Sequence, residues 1–404
     1  MSDSKNGELV IDADGHIIEP PDLWERYLEP KYRERAIRIK VGADGWEYLE
    51  VDGKPAECTV RGTLGRLSSM GRHVQDMKRM REEWVKGWRQ GPPPFIRATP
   101  DETYLKGAGF GTMDPKERLK KMDEEGLSKS VLFPTLGLNW EAETKDADYA
   151  NACCRAYNRW IADFCRDSGG RLVPAAHISL GDPALAAGEL ERAVKDGCKI
   201  AFISPYTISR KPHGHPDHDV VFAAAQDLGV PLAVHPNFEP REFTIHTRFQ
   251  PMRGAEGIWY GDLFTNQGSI MAFATMFVFG VWDKFPRMKF VILESGAGWI
   301  GWWLNRADAL YKETLLGGGL PLAECPSYYF NRQCFISGDP DETVLRHIID
   351  YVGADKFFWA SDFPHADHPV NYMEEIHELV EKMSPAGRRG ILGENVARAL
   401  DLIS

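Results

Sequence analysis

Cysteine is too sparse and too irregularly spaced in this chain to carry a structural plan. The seven residues (Cys58, Cys153, Cys154, Cys165, Cys198, Cys325 and Cys334) form an odd set with no CxxC pair, which argues against a disulfide framework or a structural zinc site. They read as small buried hydrophobes in a reducing cytoplasm. No run reaches the roughly 18 apolar residues of a membrane-crossing helix; the most apolar stretch, 270–282, has the length of a buried helix. The first eight residues lack the basic-then-apolar pattern of a secretory signal. Basic charge is also in deficit, with 48 Lys and Arg against 59 Asp and Glu and a net charge of −11. A nucleic-acid or anionic-membrane partner would call for a basic face. What remains is an acidic cytoplasmic protein whose partner is a small molecule.

Hydrophobic residues make up 43% of the 404 and charged residues 26%, ample for a packed core. Short apolar runs near residues 10, 131, 174, 201, 233, 291, 335 and 359 read as eight buried strands, separated from residue 114 onward by helical stretches. Asp114-Pro115 and Asp182-Pro183 are proline-started helix openings, and Gly126 is a helix stop. Helices are expected over 148–168, 182–196, 218–228, 268–284, 299–312, 341–352, 373–382 and 395–403. Strand and helix alternating eight times predict an α/β fold, a TIM-like (β/α)8 barrel over 9–404. The interval 37–113 breaks the alternation: it holds a small hairpin over 37–56, a helical piece over 74–87 and Pro92-Pro93-Pro94. It reads as an insertion near the mouth of the barrel.

Four of the strands end in residues that can bind a metal or move a proton. The first runs into Asp14-Gly15-His16, and residues two apart on a strand share a face. The fifth ends at His235-Pro236, the sixth at Glu294-Ser295-Gly296 and the eighth at Ser361-Asp362-Phe363-Pro364-His365. In a parallel barrel all strand C-termini meet at one pole, so Asp14, His16, His235 and Asp362 can converge as two nitrogen and two oxygen donors. That set suits one divalent ion such as Zn²⁺ or Mn²⁺. Asp362 can also take a proton, and Glu294 is placed as a base beside the ligands. His177 ends the third strand and suits core packing and substrate contact equally, while His365 suits a turn or a substrate contact. Arg248 and Arg253, in the long aperiodic segment 237–266, suit the gripping of a carboxylate. Asp339 reads as a helix-start residue, and His213, His215 and His218 as a solvated loop away from the strand ends.

The pattern Asp12-Ala13-Asp14-Gly15-His16, with His235-Pro236, Glu294-Ser295-Gly296 and Ser361-Asp362-Phe363-Pro364-His365, resembles the amidohydrolase superfamily. It is most similar to the amidohydrolase-related group that contains aminocarboxymuconate semialdehyde decarboxylase. The similarity runs from residue 9 to about 400 apart from the insertion. It implies a metal-dependent barrel enzyme with Asp14 and His16 as first-strand ligands, His235 as the fifth-strand ligand and Asp362 as the eighth. The chain departs from the group's pattern in carrying Asp14-x-His16 for HxH and Glu294 for the sixth-strand His. The activity implied is non-oxidative decarboxylation of an aromatic or enoic acid. Two alternatives stand beside it: hydrolysis of an amide, ester, lactone or activated C–C bond, and a metal-binding scaffold without catalysis. The Trp299, Trp302, Trp303 face suggests a homodimer or larger homo-oligomer.

Overall fold

The computed structural model describes residues 8–59, 61–68, 99–243, 260, 261, 263–313, 319–365 and 370–403. Eight parallel strands follow one another in chain order around a barrel: β1 (Ile11–Ile17), β5 (Lys129–Pro134), β6 (Leu172–His177), β7 (Ile200–Ile203), β8 (Leu232–Val234), β9 (Phe290–Ile292), β10 (Cys334–Gly338) and β11 (Phe357–Trp359). All eight expected strands are present. The ring is sealed just beyond the last strand, where Asp362 N donates to Asp14 O at 2.9 Å and His16 N to Phe363 O at 2.7 Å. With helices alternating outside, this is the expected (β/α)8 barrel.

Local chemistry sets the helix starts. Asp114 accepts from the backbone N–H of Lys116 and Glu117, and Asp182 from those of Ala184 and Leu185, each with proline at the first helical position. Gly126 ends Pro115–Glu125 at φ 79°. One expected helix, 268–284, is in fact two, Asn266–Val278 and Val281–Lys284. Gly280 between them sits at φ 65°, and a Cβ there would lie 2.5 Å from Pro321 O, so the close approach of that backbone forces the break. Helix Leu345–Val352 likewise starts later than expected, and the residues after Gly390 form a π-helical turn, Gly390–Glu394, before Asn395–Ala399.

The barrel interior is apolar and layered. Ile11, Ala13, Val131, Phe133, Val173, Ala175, Ile200, Phe202, Ala233, Val291, Leu293 and Phe358 form one cluster, with Val396 and Leu400 of the C-terminal segment. At 25 cal/mol per Å² such burial is the main stabilising term. In β1 the register against β5 shifts between Asp12 and Gly15, a bulge. Strict alternation from Ile11 and Ala13 would turn Asp14 and His16 outward toward the helices. The extra residue resets the parity, so Ala13 and Asp14 both face inward. Gly15 is required outside: a Cβ there would lie 2.5 Å from Asp12 Oδ2, 2.7 Å from Ser130 Oγ and 2.8 Å from Arg118 Nη2.

The hairpin expected over 37–56 is a three-stranded antiparallel sheet, β2 (Arg38–Val41), β3 (Glu47–Val51) and β4 (Lys54–Pro55). The segment after it reaches the barrel mouth, where Cys58 Sγ donates to Asn139 O at 3.1 Å and Thr59 Oγ1 to Asn139 Oδ1 at 3.1 Å. The helical piece at 74–87 and the triple proline lie outside the described residues. All seven cysteines are unpaired in disulfide terms, and five are buried. Of the three tryptophans on helix Trp299–Lys312, Trp302 is the exposed one. Among the described residues no helix is long and apolar enough to cross a membrane.

The histidines at 213 and 218 correct the sequence reading. They are buried rather than solvated: His213 Nε2 meets Ser204 O at 2.8 Å, and His218 Nδ1 meets His213 O at 2.8 Å. Apolar side chains and backbone carbonyls can enclose a neutral imidazole because it carries one donor and one acceptor. Burial accordingly lowers the pKa of both, that of His213 to about 4.

Candidate metal centre

The four strand ends singled out in the sequence meet at the C-terminal pole. His16 Nε2 lies 3.0 Å from Asp362 Oδ1, 3.5 Å from Asp14 Oδ1 and 3.5 Å from Glu294 Oε2. His235 Nε2 lies 3.1 Å from Glu294 Oε2, 3.5 Å from Asp14 Oδ2 and 3.4 Å from His16 Nε2. Ligand-type atoms of Asp14, His16, His235 and Glu294 all fall within 4.8 Å of one another, as do those of His16, Glu294, Asp362 and His365. Glu294 therefore sits among the would-be ligands instead of behind them.

Second partners orient both imidazoles. His16 Nδ1 donates to Pro134 O at 2.7 Å and His235 Nδ1 to Pro236 O at 2.8 Å. Each ring thereby spends its N–H on a carbonyl and turns the Nε2 lone pair toward the carboxylates, as metal-binding histidines do. Neither carboxylate oxygen of fully buried Asp14 has a hydrogen-bond donor. A buried carboxylate so placed is costly unless a cation is its counterpart. Two aimed nitrogens, orphaned oxygens and further carboxylates at coordinating spacing fit one divalent ion.

The backbone is bent to serve this convergence. Glu294 and Asp362 have φ of 41° and 51°, a left-handed conformation that costs a non-glycine residue about 1–3 kcal/mol and clusters at functional sites. Phe133 stacks on His235, their ring centres 5.4 Å apart, and Phe202 lies 5.8 Å from the same imidazole, so the pocket wall beside the donors is aromatic.

The electrostatics describe what a cation must displace. Burial opposes charge on His16, but Asp362, Glu294 and Asp14 outweigh it and raise its pKa well above the ordinary value. Burial likewise opposes charge on His235, yet Asp14 and Glu294 lift it to about 10. For Glu294, burial and Asp362 push the pKa up while His235 and His16 pull it down, the net being about 2. The imidazoles are therefore protonated near neutrality, and coordination requires both lone pairs. Metal binding at pH 7 is predicted to release protons from the imidazoles, so affinity rises with pH. Calorimetry in buffers of different ionisation enthalpy reads that release directly; zero net release would contradict the assignment. The sign for the metal-free protein is opposite. With its folded pKa raised, His235 stabilises fully below about 6.5 and loses that contribution as pH climbs through about 10.

His177 is fully buried, its Nε2 3.1 Å from Glu141 Oε2 and its ring stacked on Phe202 at 4.4 Å. It stands one aromatic ring behind the cluster. His365 is in the cluster itself, Nδ1 2.9 Å from Asp362 Oδ1. Asp339, expected at a helix start, accompanies Glu342, whose Oε2 accepts from its N–H at 3.2 Å. Arg248 and Arg253 lie outside the described residues.

The sequence reading assigned no role to Asp12, although it named the residue. Asp12 points away from the pocket and accepts from Ser361 N at 2.9 Å, Ser361 Oγ at 2.8 Å and Ser130 Oγ at 3.0 Å. Behind it the buried guanidinium of Arg118 donates to His16 O at 3.0 Å. Burial raises the Asp12 pKa, and Ser361, Arg118 and Ser130 partly offset this. Its signal was its position two residues before Asp14, on the far side of a bulge that sequence does not reveal.

Comparison with known proteins follows the same lines. A gamma-resorcylate decarboxylase from Polaromonas sp. (strain JS666 / ATCC BAA-500) is 26% identical over 299 residues, 68% of this chain and 88% of that protein. The crystal structure of an amidohydrolase from Mycobacterium avium subsp. paratuberculosis K-10 superposes with a TM-score of 0.79 at 20% identity, covering 97% of this chain and 99% of the other. A dihydroxybenzoic acid decarboxylase from Polaromonas sp. JS666, solved with bound manganese and the inhibitor 2-nitroresorcinol, gives 0.62 at 19% identity, covering 98% and 97%. The family model described as Amidohydrolase matches residues 11–402, nearly the whole chain. With that span, this barrel and these strand ends, the chain belongs to the amidohydrolase family (Amidohydro_2).

Proposed function

We propose that the protein is a metal-dependent, non-oxidative decarboxylase of a hydroxylated aromatic acid, with Asp14, His16, His235 and Asp362 holding one divalent ion, Mn²⁺ or Zn²⁺. The observation that carries this is the buried group of two aimed imidazoles and three carboxylates beside an aromatic wall of Phe133 and Phe202. Relatives named as decarboxylases of dihydroxybenzoic acids support the reaction. The mixed nitrogen and oxygen donor set suits either metal, and manganese in a structural neighbour supports the first.

Held by these residues, an ion would supply positive charge that offsets the charge developing on an anionic substrate. The chain's own residues do the rest. Phe133 and Phe202, packed on each other and on His235, keep the floor beneath the donors dry. Asp362 in its protonated form gives a proton to the ring carbon that bears the carboxylate. The bond from that carbon to the carboxyl carbon then breaks, its electron pair returns to the ring, and CO₂ leaves. No electron acceptor is needed. Glu294, 3.1 Å from His235 Nε2 and 3.5 Å from His16 Nε2, keeps the imidazoles oriented. Arg248 and Arg253 are assigned to the anionic substrate's charge, and His177 to ordering Phe202 from behind.

Hydrolysis of a neutral substrate is the competing reading, and one observation favours it. Asp14, Glu294 and Asp362 carry more negative charge than one divalent ion cancels, which disfavours an anionic ligand. Incubating the Mn²⁺- and Zn²⁺-loaded protein with 2,6-dihydroxybenzoate, related carboxylated phenols, and phenyl esters and lactones separates the two. We expect metal-dependent CO₂ release from at least one phenolic acid and none from protein treated with chelator. Ester or lactone cleavage without any CO₂ would replace the decarboxylase reading.

A further inference from the structure

Asp362 reaches the mouth with its backbone at φ 51°, where no intrinsic preference of an L residue holds it. Its carboxylate must therefore be aimed by contacts. His365, three residues on, brings Nδ1 to 2.9 Å from Asp362 Oδ1, and its ring lies against that of His16 with centres 4.0 Å apart. The other nitrogen, Nε2, is 3.0 Å from Thr135 Oγ1, on the residue that follows β5. An imidazole with a partner facing each nitrogen has its tautomer chosen by them. A carboxylate can only accept, so the ring proton sits on Nδ1, which faces Asp362 as a close charge contact, and Nε2 accepts from the Thr135 hydroxyl.

Thr135 is itself fixed in an unusual way. Fully buried Glu19 accepts from the backbone N–H of Thr135 at 3.2 Å, of Leu136 at 2.9 Å and of Gly137 at 2.8 Å. Asn139 Nδ2 donates to Thr135 O at 2.9 Å. The backbone carbonyl of Glu19 accepts from the Tyr104 hydroxyl at 2.8 Å. A buried carboxylate enclosed by three consecutive N–H groups makes that turn rigid, and the turn presents one hydroxyl to His365.

We infer that Thr135 is a positioning residue: through His365 it holds the Asp362 carboxylate in its coordinating orientation, with Glu19 as the anchor of the relay. His365 then has no nitrogen left for substrate, which replaces the substrate contact suggested by sequence. The inference rests on the assignment of Asp362 to the metal centre but is independent of which bond the enzyme breaks.

The test uses full-length protein loaded with Co²⁺, whose visible d–d absorption reports ligand geometry without any substrate. Thr135→Val removes the hydroxyl at similar shape, and Thr135→Ser keeps it. Loss of such an outer partner typically weakens metal affinity or activity by about 10–100-fold. We expect Thr135→Val to weaken Co²⁺ binding by about that factor and to alter the absorption bands, with the melting temperature little changed. Thr135→Ser should restore both. His365→Ala should reproduce the spectral change, and the double variant should be no worse than either single one, since residues in one chain of contacts are not additive. Co²⁺ affinity and spectrum unchanged in Thr135→Val, no rescue by serine, or full additivity would each overturn the relay. Should Thr135→Val fail to fold, the serine and His365→Ala comparison decides by the same criteria. If the cobalt readouts respond while no aromatic acid yields CO₂, the relay stands and the decarboxylase reading falls.

Discussion

Asp362→Asn is expected to lower metal-dependent CO₂ release by about 10²–10⁴-fold, the usual contribution of a positioned acid–base group, while leaving a neutral oxygen in the same place. His235→Ala should go further and remove the metal itself. It deletes one of two imidazoles whose Nε2 is aimed by a carbonyl on the opposite nitrogen, and it leaves Glu294 Oε2 without the partner now 3.1 Å away. The pair of variants separates two roles. Elemental analysis should find a stoichiometric ion in Asp362→Asn at saturating metal and little in His235→Ala. Wild-type turnover in Asp362→Asn would remove the assigned proton donor, and a fully metallated His235→Ala would remove the ligand set. A non-catalytic metal scaffold would show the same metal contents with no CO₂ in the parent protein.

The second large effect lies behind the pocket. Asp12→Ala is predicted to cost about 3–5 kcal/mol, the range for deleting one member of a buried charged group and stranding the other. Three donors lose their acceptor at once, Ser361 N, Ser361 Oγ and Ser130 Oγ, and the Arg118 guanidinium remains buried beside the gap. Asp12→Asn, which keeps the shape and one oxygen, should cost less. Urea unfolding monitored by tryptophan fluorescence gives both numbers. A midpoint for Asp12→Ala equal to that of the parent would show that the barrel closes without this network. Because Ser361 precedes Asp362, weaker metal binding should accompany the loss of stability.

How far the chain explains itself depends on which physical signal each feature leaves. The strands were legible because each is a short apolar run, and the metal-type residues because four of the runs end in Asp, His or Glu with Gly or Pro close behind. Four coincident strand ends made the convergence readable without coordinates. The bulge in β1 was not legible, since Gly15 records it only through a close approach to Asp12, Ser130 and Arg118. The Thr135 relay was hidden for a similar reason: Glu19 and Thr135 are 116 residues apart, and no local pattern joins them. The burial of His213 and His218 escaped notice because polar neighbours in sequence imply solvent, whereas the carbonyls that satisfy these rings come from the fold. Gly280 could have been read as a helix break from its residue type, but the apolar residues around it dominated the pattern.

Closing the ring with Asp362 N on Asp14 O has a consequence for biosynthesis. The two halves of that seam come from opposite ends of the polypeptide, and contacts so distant in sequence form late and slowly. On the proposed ligand set, almost the entire chain must be synthesised before an ion would meet all four donors, since a nascent half-barrel would offer only Asp14 and His16. Loading would then belong to the finished barrel and not to the growing chain.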